Sequence, residues 1–71
     1  MTNYRKTTLY KKLTAYQACE IAEGFDESKK YSKDQQLTAW QYIYDRSIWK
    51  HLQGWYGRTV TDLLENGVIR A

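Results

Sequence analysis

Seventy-one residues make one small domain with a thin core, because a chain of this size withdraws roughly 60% of its unfolded surface from water on folding. A composition 42% hydrophobic and 27% charged, with three Trp, seven Tyr and no Pro, is too apolar and aromatic for a disordered tail. The net charge is a modest +3, an enclosed substrate pocket would consume most of the core, and there is neither a Gly-rich phosphate loop nor a run of acids and histidines; most enzyme classes are set aside and a non-catalytic protein is expected.

In chain order, residues 1–12 carry Arg5, Lys6, Lys11 and Lys12 without an acid, a local charge of +4, whereas residues 13–71 hold seven basic and eight acidic residues. The first twelve residues therefore read as a flexible basic arm. Residues 3–10 could make a short strand, but no partner strand is in view. Thr14-Ala15-Tyr16-Gln17 has the form of a capping box, and Ala15, Ala18, Cys19 and Ala22 share one helical face, so a helix is expected over 15–23 with Gly24 as its stop. Small residues on that stripe allow another helix to approach closely. Residues 25–31 read as a charged surface loop with Phe25 folded back onto the core.

Ser32-Lys33-Asp34-Gln35 is a second capping box, and Asp34 suits the positive end of the helix dipole. The central helix is expected over 33–45, with Leu37, Trp40, Ile43 and Tyr44 on one face and Thr38 and Gln41 away from its centre. Ser47 can cap a short helix over 48–53. Gly54-Trp55-Tyr56-Gly57 reads as a turn, and the last helix as 58–66, with Thr59 and Asp62 as a weaker cap signal, Val60, Leu63 and Leu64 on its apolar face, and Asn66-Gly67 as its stop. Val68 and Ile69 can pack back beneath it. The fold class is all-α: a bundle of three main helices plus a short connecting helix, with the flexible arm at 1–12 and a single helical domain over 13–71.

Cys19 is the only cysteine, so no intrachain disulfide can form and a reducing compartment is expected. With His51 the only histidine, on another element, neither a metal site nor a cofactor nor a catalytic pair is expected. Glu20, Glu23, Asp26, Glu27 and Asp34 are interspersed with lysines and read as a solvated, charge-balanced surface. No apolar run approaches the ~18 residues of a membrane span, so no membrane association is expected.

The densest signal is Trp49 to Arg58, where three aromatics, an Arg and two glycines occupy ten residues. A domain this small cannot easily bury every Trp and Tyr. Trp40 belongs in the core, whereas Trp55 and Tyr56 lie between glycines, and Trp, Tyr and Arg are the types enriched at binding hot spots. The expected partner-binding residues are Trp49, Trp55, Tyr56 and Arg58. Against this stands a purely structural reading, in which Trp55 fastens the last helix to the central one. An alternative function is nucleic-acid binding, with Arg5, Lys6, Lys11 and Lys12 on phosphates and Tyr4, Tyr10, Tyr31 and Trp55 as stacking surfaces. Residues 15–30 fit a helix-turn-helix poorly. A third alternative is a self-assembling structural protein whose aromatics form a homo-oligomer seam.

Ala39-Trp40-Gln41, Asp45, Trp49, and then Leu52-Gln53-Gly54-Trp55-Tyr56-Gly57-Arg58-Thr59 followed by Leu63-Leu64 and Gly67 resemble the core pattern of a family of short bacteriophage-encoded proteins. The match covers roughly residues 14–68. It departs from that pattern at Ser47, near a usual glycine, and at Val60, near a usual alanine, and the basic arm is not part of it. The resemblance implies a phage origin and action in the cytoplasm of the bacterial host, and such proteins often bind a host protein or a defence component. It supplies no catalytic residues.

Overall fold

The computed structural model describes residues 3–23 and 31–71. Among these the chain is helical throughout its regular elements: a 3-10 turn at Tyr4–Lys6, α1 (Thr8–Lys12), α2 (Ala15–Ala22), α3 (Lys33–Asp45), a second 3-10 turn at Ile48–His51, and α4 (Gly54–Glu65). The all-α expectation holds, and α3 is the central element, with α2, α1 and both 3-10 turns placed against it.

Local chemistry explains the boundaries. The Ser32 hydroxyl accepts from the Gln35 amide while the Gln35 side chain accepts from the Ser32 amide, closing the reciprocal box expected at the start of α3. Thr14 likewise accepts from the Gln17 amide at the start of α2. At the end of α4, Gly67 adopts φ 68°, and the Gly67 and Val68 amides donate to the Leu64 and Leu63 carbonyls. This is the Schellman arrangement; it turns the chain back so that Ile69 is buried beneath the helix. The expected stop at Gly24 and the position of Phe25 lie outside the described residues.

The core joins Ala18, Ile21 and Ala22 of α2, Ala39, Trp40, Tyr42 and Ile43 of α3, and Tyr56 and Val60 of α4. Alanines on α2 and α3 permit their backbones to come close. Between α3 and α4 the space is filled instead by aromatic rings: Trp40 meets Trp55 edge-on at 6.0 Å and Tyr56 at 5.4 Å between centroids.

Four expectations require correction. Residues 3–12 are neither a flexible arm nor a strand. They form the first 3-10 turn and α1, capped by the side chains of Asn3 and Thr7, with Tyr4 buried. Thr38 and Gln41, expected away from the centre of the apolar face of α3, are fully buried, at 2% and 1% exposed. The Thr38 hydroxyl donates to the Asp34 carbonyl, and Gln41 binds the chain's C-terminal segment, so their polarity is satisfied internally. Gly54 and Gly57 do not form a turn, because α4 begins at Gly54; Thr59 consequently lies inside the helix and donates to the Trp55 carbonyl. Ser47 does not cap the segment after it. It sits in the left-handed region at φ 55° with no side-chain capping bond, in the position after α3 that glycine usually fills.

Candidate functional site

The four residues expected to contact a partner separate: Trp55, Tyr56 and Arg58 lie on α4 and Trp49 on the second 3-10 turn, and they fall on two sides of α4. Trp55 and Tyr56 point to the core side: Tyr56 is 3% exposed, and Trp55 is half-buried against Trp40, with its indole donating to Gln53 Oε1 at 3.2 Å. The Tyr56 hydroxyl donates to Glu23. Burial first, and then that bond, push the Tyr56 phenol far above its ordinary range. Tyr56 thus fastens α4 to the end of α2, which corrects its assignment as a contact residue. The structural reading of Trp55 is the one its packing favours.

Trp49 and Arg58 remain together on the other face. With Gly54, Gly57, Thr61 and Asp62 they line an open groove of about 450 Å³. Gly54, Gly57, Arg58 and Thr61 follow the three- and four-residue spacing of one helical face, so the groove runs along α4 with the Trp49 indole as its opposite wall. A Cβ at position 57 would stand 3.6 Å from Trp49 Cε3, and one at position 54 would stand 3.6 Å from Arg58 Nη1. The Trp49 ring thus packs close against α4 at Gly57, and the Arg58 head lies beside Gly54. Trp49 is half-buried, Arg58 is exposed, and the Trp49 Nε1 hydrogen finds no acceptor among the described residues. The Lys50 ammonium lies 5.6 Å from the Trp49 ring centroid, and Arg46 lies 5.0 Å from that of Tyr42. From Arg46 through Thr61 the sequence holds Arg46, Lys50, His51 and Arg58 and no acid.

Gly57, Thr61 and Asp62 were not singled out as lining residues by sequence reasoning. Their spacing with Gly54 is a usable signal once α4 starts at Gly54, but starting the helix at Arg58 hides it.

The basic set expected on phosphates also divides. The Arg5 guanidinium donates to both Asp45 oxygens, Nε to Oδ2 at 2.8 Å and Nη2 to Oδ1 at 2.7 Å, and Nη2 also reaches the Arg70 carbonyl at 2.9 Å. Tyr10 donates to Asp45 Oδ2 at 2.6 Å and Gln41 Nε2 to Oδ1 at 3.1 Å. Gln41 also exchanges two bonds with the Arg70 backbone, at 2.8 and 2.7 Å. Burial alone would raise the Asp45 carboxyl, but the Arg5 and Tyr10 bonds and the Arg5 charge outweigh it and hold the group below its ordinary range. Lys6, Lys11 and Lys12 are exposed.

Cys19 is partly buried, and burial pushes its thiol up, away from the thiolate form a nucleophile needs. Among the described residues no three His, Cys, Asp or Glu side chains are grouped to hold a metal, and no helix is long and apolar enough to cross a membrane. Asp26 and Glu27 lie outside those residues, whereas Glu20 accepts a bond from the Tyr31 hydroxyl at 3.3 Å. No protein family, curated protein or solved structure matches the chain.

Proposed function

We propose that this chain is a non-enzymatic interaction protein of phage origin that binds a bacterial host or defence protein and occludes or redirects it, acting in the host cytoplasm. The observation that carries the interaction reading is the open groove lined by Trp49, Gly54, Gly57, Arg58, Thr61 and Asp62, where a half-buried indole and an exposed Arg without an ion pair among the described residues lie on one face of the molecule. The phage and host elements rest on the resemblance of the Trp40 to Gly67 pattern.

The test is capture from bacterial lysate with the tagged chain, with and without nuclease, beside an Arg58→Glu variant. Arg58 is exposed, so the variant keeps the fold. The expected result is one stoichiometric protein that survives nuclease and is lost with Arg58→Glu. Capture unaffected by that change would remove the groove from the reading. Recovery that vanishes with nuclease would favour the second reading, in which exposed Lys6, Lys11 and Lys12 hold nucleic acid without Arg5, which Asp45 already engages. A concentration-dependent dimer disrupted by Arg58→Glu would favour self-assembly.

A further inference from the structure

We propose that the two end segments of the chain, residues 3–12 and 68–71, form one clasp over α3 that opens as a unit, short of global unfolding, and uncovers Gln41, Tyr42 and Asp45. The clasp uses none of the residues that line the α4 groove, so it stands apart from the interaction reading.

A closed ring of hydrogen bonds joins the two segments to each other and to α3. Arg5 Nη2 donates to Asp45 Oδ1 at 2.7 Å and to the Arg70 carbonyl at 2.9 Å. Gln41 Nε2 donates to the same two acceptors, at 3.1 and 2.8 Å. One donor and one acceptor come from α3, the other donor from the first segment and the other acceptor from the last. Bonds in such a ring strengthen one another, and withdrawing either end leaves the remaining members short of a partner. The buried Gln41 side chain also accepts from the Arg70 amide at 2.7 Å, so both of its polar atoms are committed to the C-terminal segment.

Neither segment is stable by itself. The first 3-10 turn has three residues and α1 five, far below the ~12–15 at which an isolated helix becomes even marginal, so their order depends on docking. The anchors are few. Tyr4 is buried, Tyr10 meets the Tyr42 ring edge-on at 5.6 Å and donates to Asp45, and at the other end Ile69 is buried after the turn at Gly67. By contrast, α3 carries seven buried residues among thirteen. Segments with few buried anchors open at lower free energy than the elements they cover.

Water already reaches the ring. Arg5, Asp45 and Ala71 line an open cavity of about 280 Å³, and the Arg5 side chain is 35% exposed. Solvent can therefore take over these bonds as they part, which lowers the cost of opening. The join between α2 and α4, made by Tyr56 and Glu23, lies outside the ring and stays closed.

The experiment is amide hydrogen exchange followed by NMR on the full chain over a series of low urea concentrations. The Lys11 amide, bonded to the Thr7 carbonyl, reports on the first segment, the Arg70 amide on the last, and the Ile43 amide inside α3 on global unfolding. Protection factors at Lys11 and Arg70 should agree within about threefold, lie at least about tenfold below that of Ile43, and fall less steeply with urea. Tyr10→Phe separates one unit from two independent ends, because Tyr10 bonds Asp45 and has no bond to Arg70 among the described residues. It should lower protection at Lys11 and at Arg70 by the same factor, about fivefold. A loss at Lys11 alone, an Arg70 amide that exchanges like a free peptide while Lys11 is protected, or urea slopes equal to that of Ile43 would each overturn the proposal.

Discussion

Asp45 and Trp49 stand four residues apart at the same end of α3, and their surroundings follow opposite rules. Around Asp45 polar groups are joined at close range: the carboxylate takes bonds from Arg5, Tyr10 and Gln41, and Gln41 and Arg5 together hold the Arg70 backbone. Around Trp49 an indole donor has no acceptor among the described residues, a serine holds a left-handed backbone, and a helical glycine stands where a methyl group would meet the indole at an ordinary contact distance. A core this thin gains from tying both ends of the chain to its central helix. The contrast shows that polar satisfaction is concentrated where the fold closes and relaxed where a partner is proposed to sit.

The largest effect that sharpens this comparison is expected at Asp45. Asp45→Ala leaves the Arg5 guanidinium and the Gln41 amide short of acceptors and should lower the unfolding free energy by about 2–4 kcal/mol in a urea titration. A loss below ~0.5 kcal/mol would mean the network is decorative. Titration supplies a second signature. Because the folded Asp45 carboxyl lies below its unfolded value, its contribution is complete above the unfolded value and disappears as pH falls through the folded one. The stability gap between the wild-type chain and Asp45→Asn should therefore narrow on acidification.

Tyr10→Phe should cost about 1 kcal/mol. Burial and its bond to Asp45 push the Tyr10 phenol up to about 12 from 10.0. Its contribution is thus full below the unfolded value and lost as pH rises through the interval between the two. Alkaline unfolding monitored by circular dichroism should show a smaller decline across that interval for Tyr10→Phe than for the wild-type chain.

Smaller effects of the opposite sign are expected beside Trp49. Ser47→Gly should relieve the left-handed backbone and raise the unfolding free energy by up to about 1 kcal/mol, the greater unfolded-state freedom of glycine offsetting part of the gain. Arg58→Gln should leave stability within about 0.5 kcal/mol, since the side chain is exposed and unpaired among the described residues. A substantial loss there would turn Arg58 from a contact residue into a structural one.

The sequence made α2 and α3 legible because their signals are local: Thr14 and Ser32 are followed at the third position by glutamine, and apolar residues recur at helical spacing. The close of α4 was equally plain in Asn66-Gly67. Arg5 and Asp45 were opaque because they are forty residues apart and no periodicity links them. The burial of Thr38 and Gln41 was hidden because their partners are a carbonyl one turn back and a backbone near the C-terminus, neither visible in a polarity pattern. At the candidate site Trp49 and Arg58, read as contacts, line one groove, whereas Tyr56 is buried because the two glycines that suggested a turn lie inside α4. Tertiary packing of Tyr56 and Trp55 on Trp40 outweighs the weak helix propensity of that stretch.

The central claim, that the face of α4 beside Trp49 is not shaped by the needs of the fold alone, is tested most directly by the unfolding free energy of Gly57→Ala, where a methyl group would meet the indole at an ordinary contact distance. The account predicts an increase of about 0.5–1 kcal/mol over the wild-type chain. A decrease would show that the fold itself needs glycine at this position, and would contradict the claim.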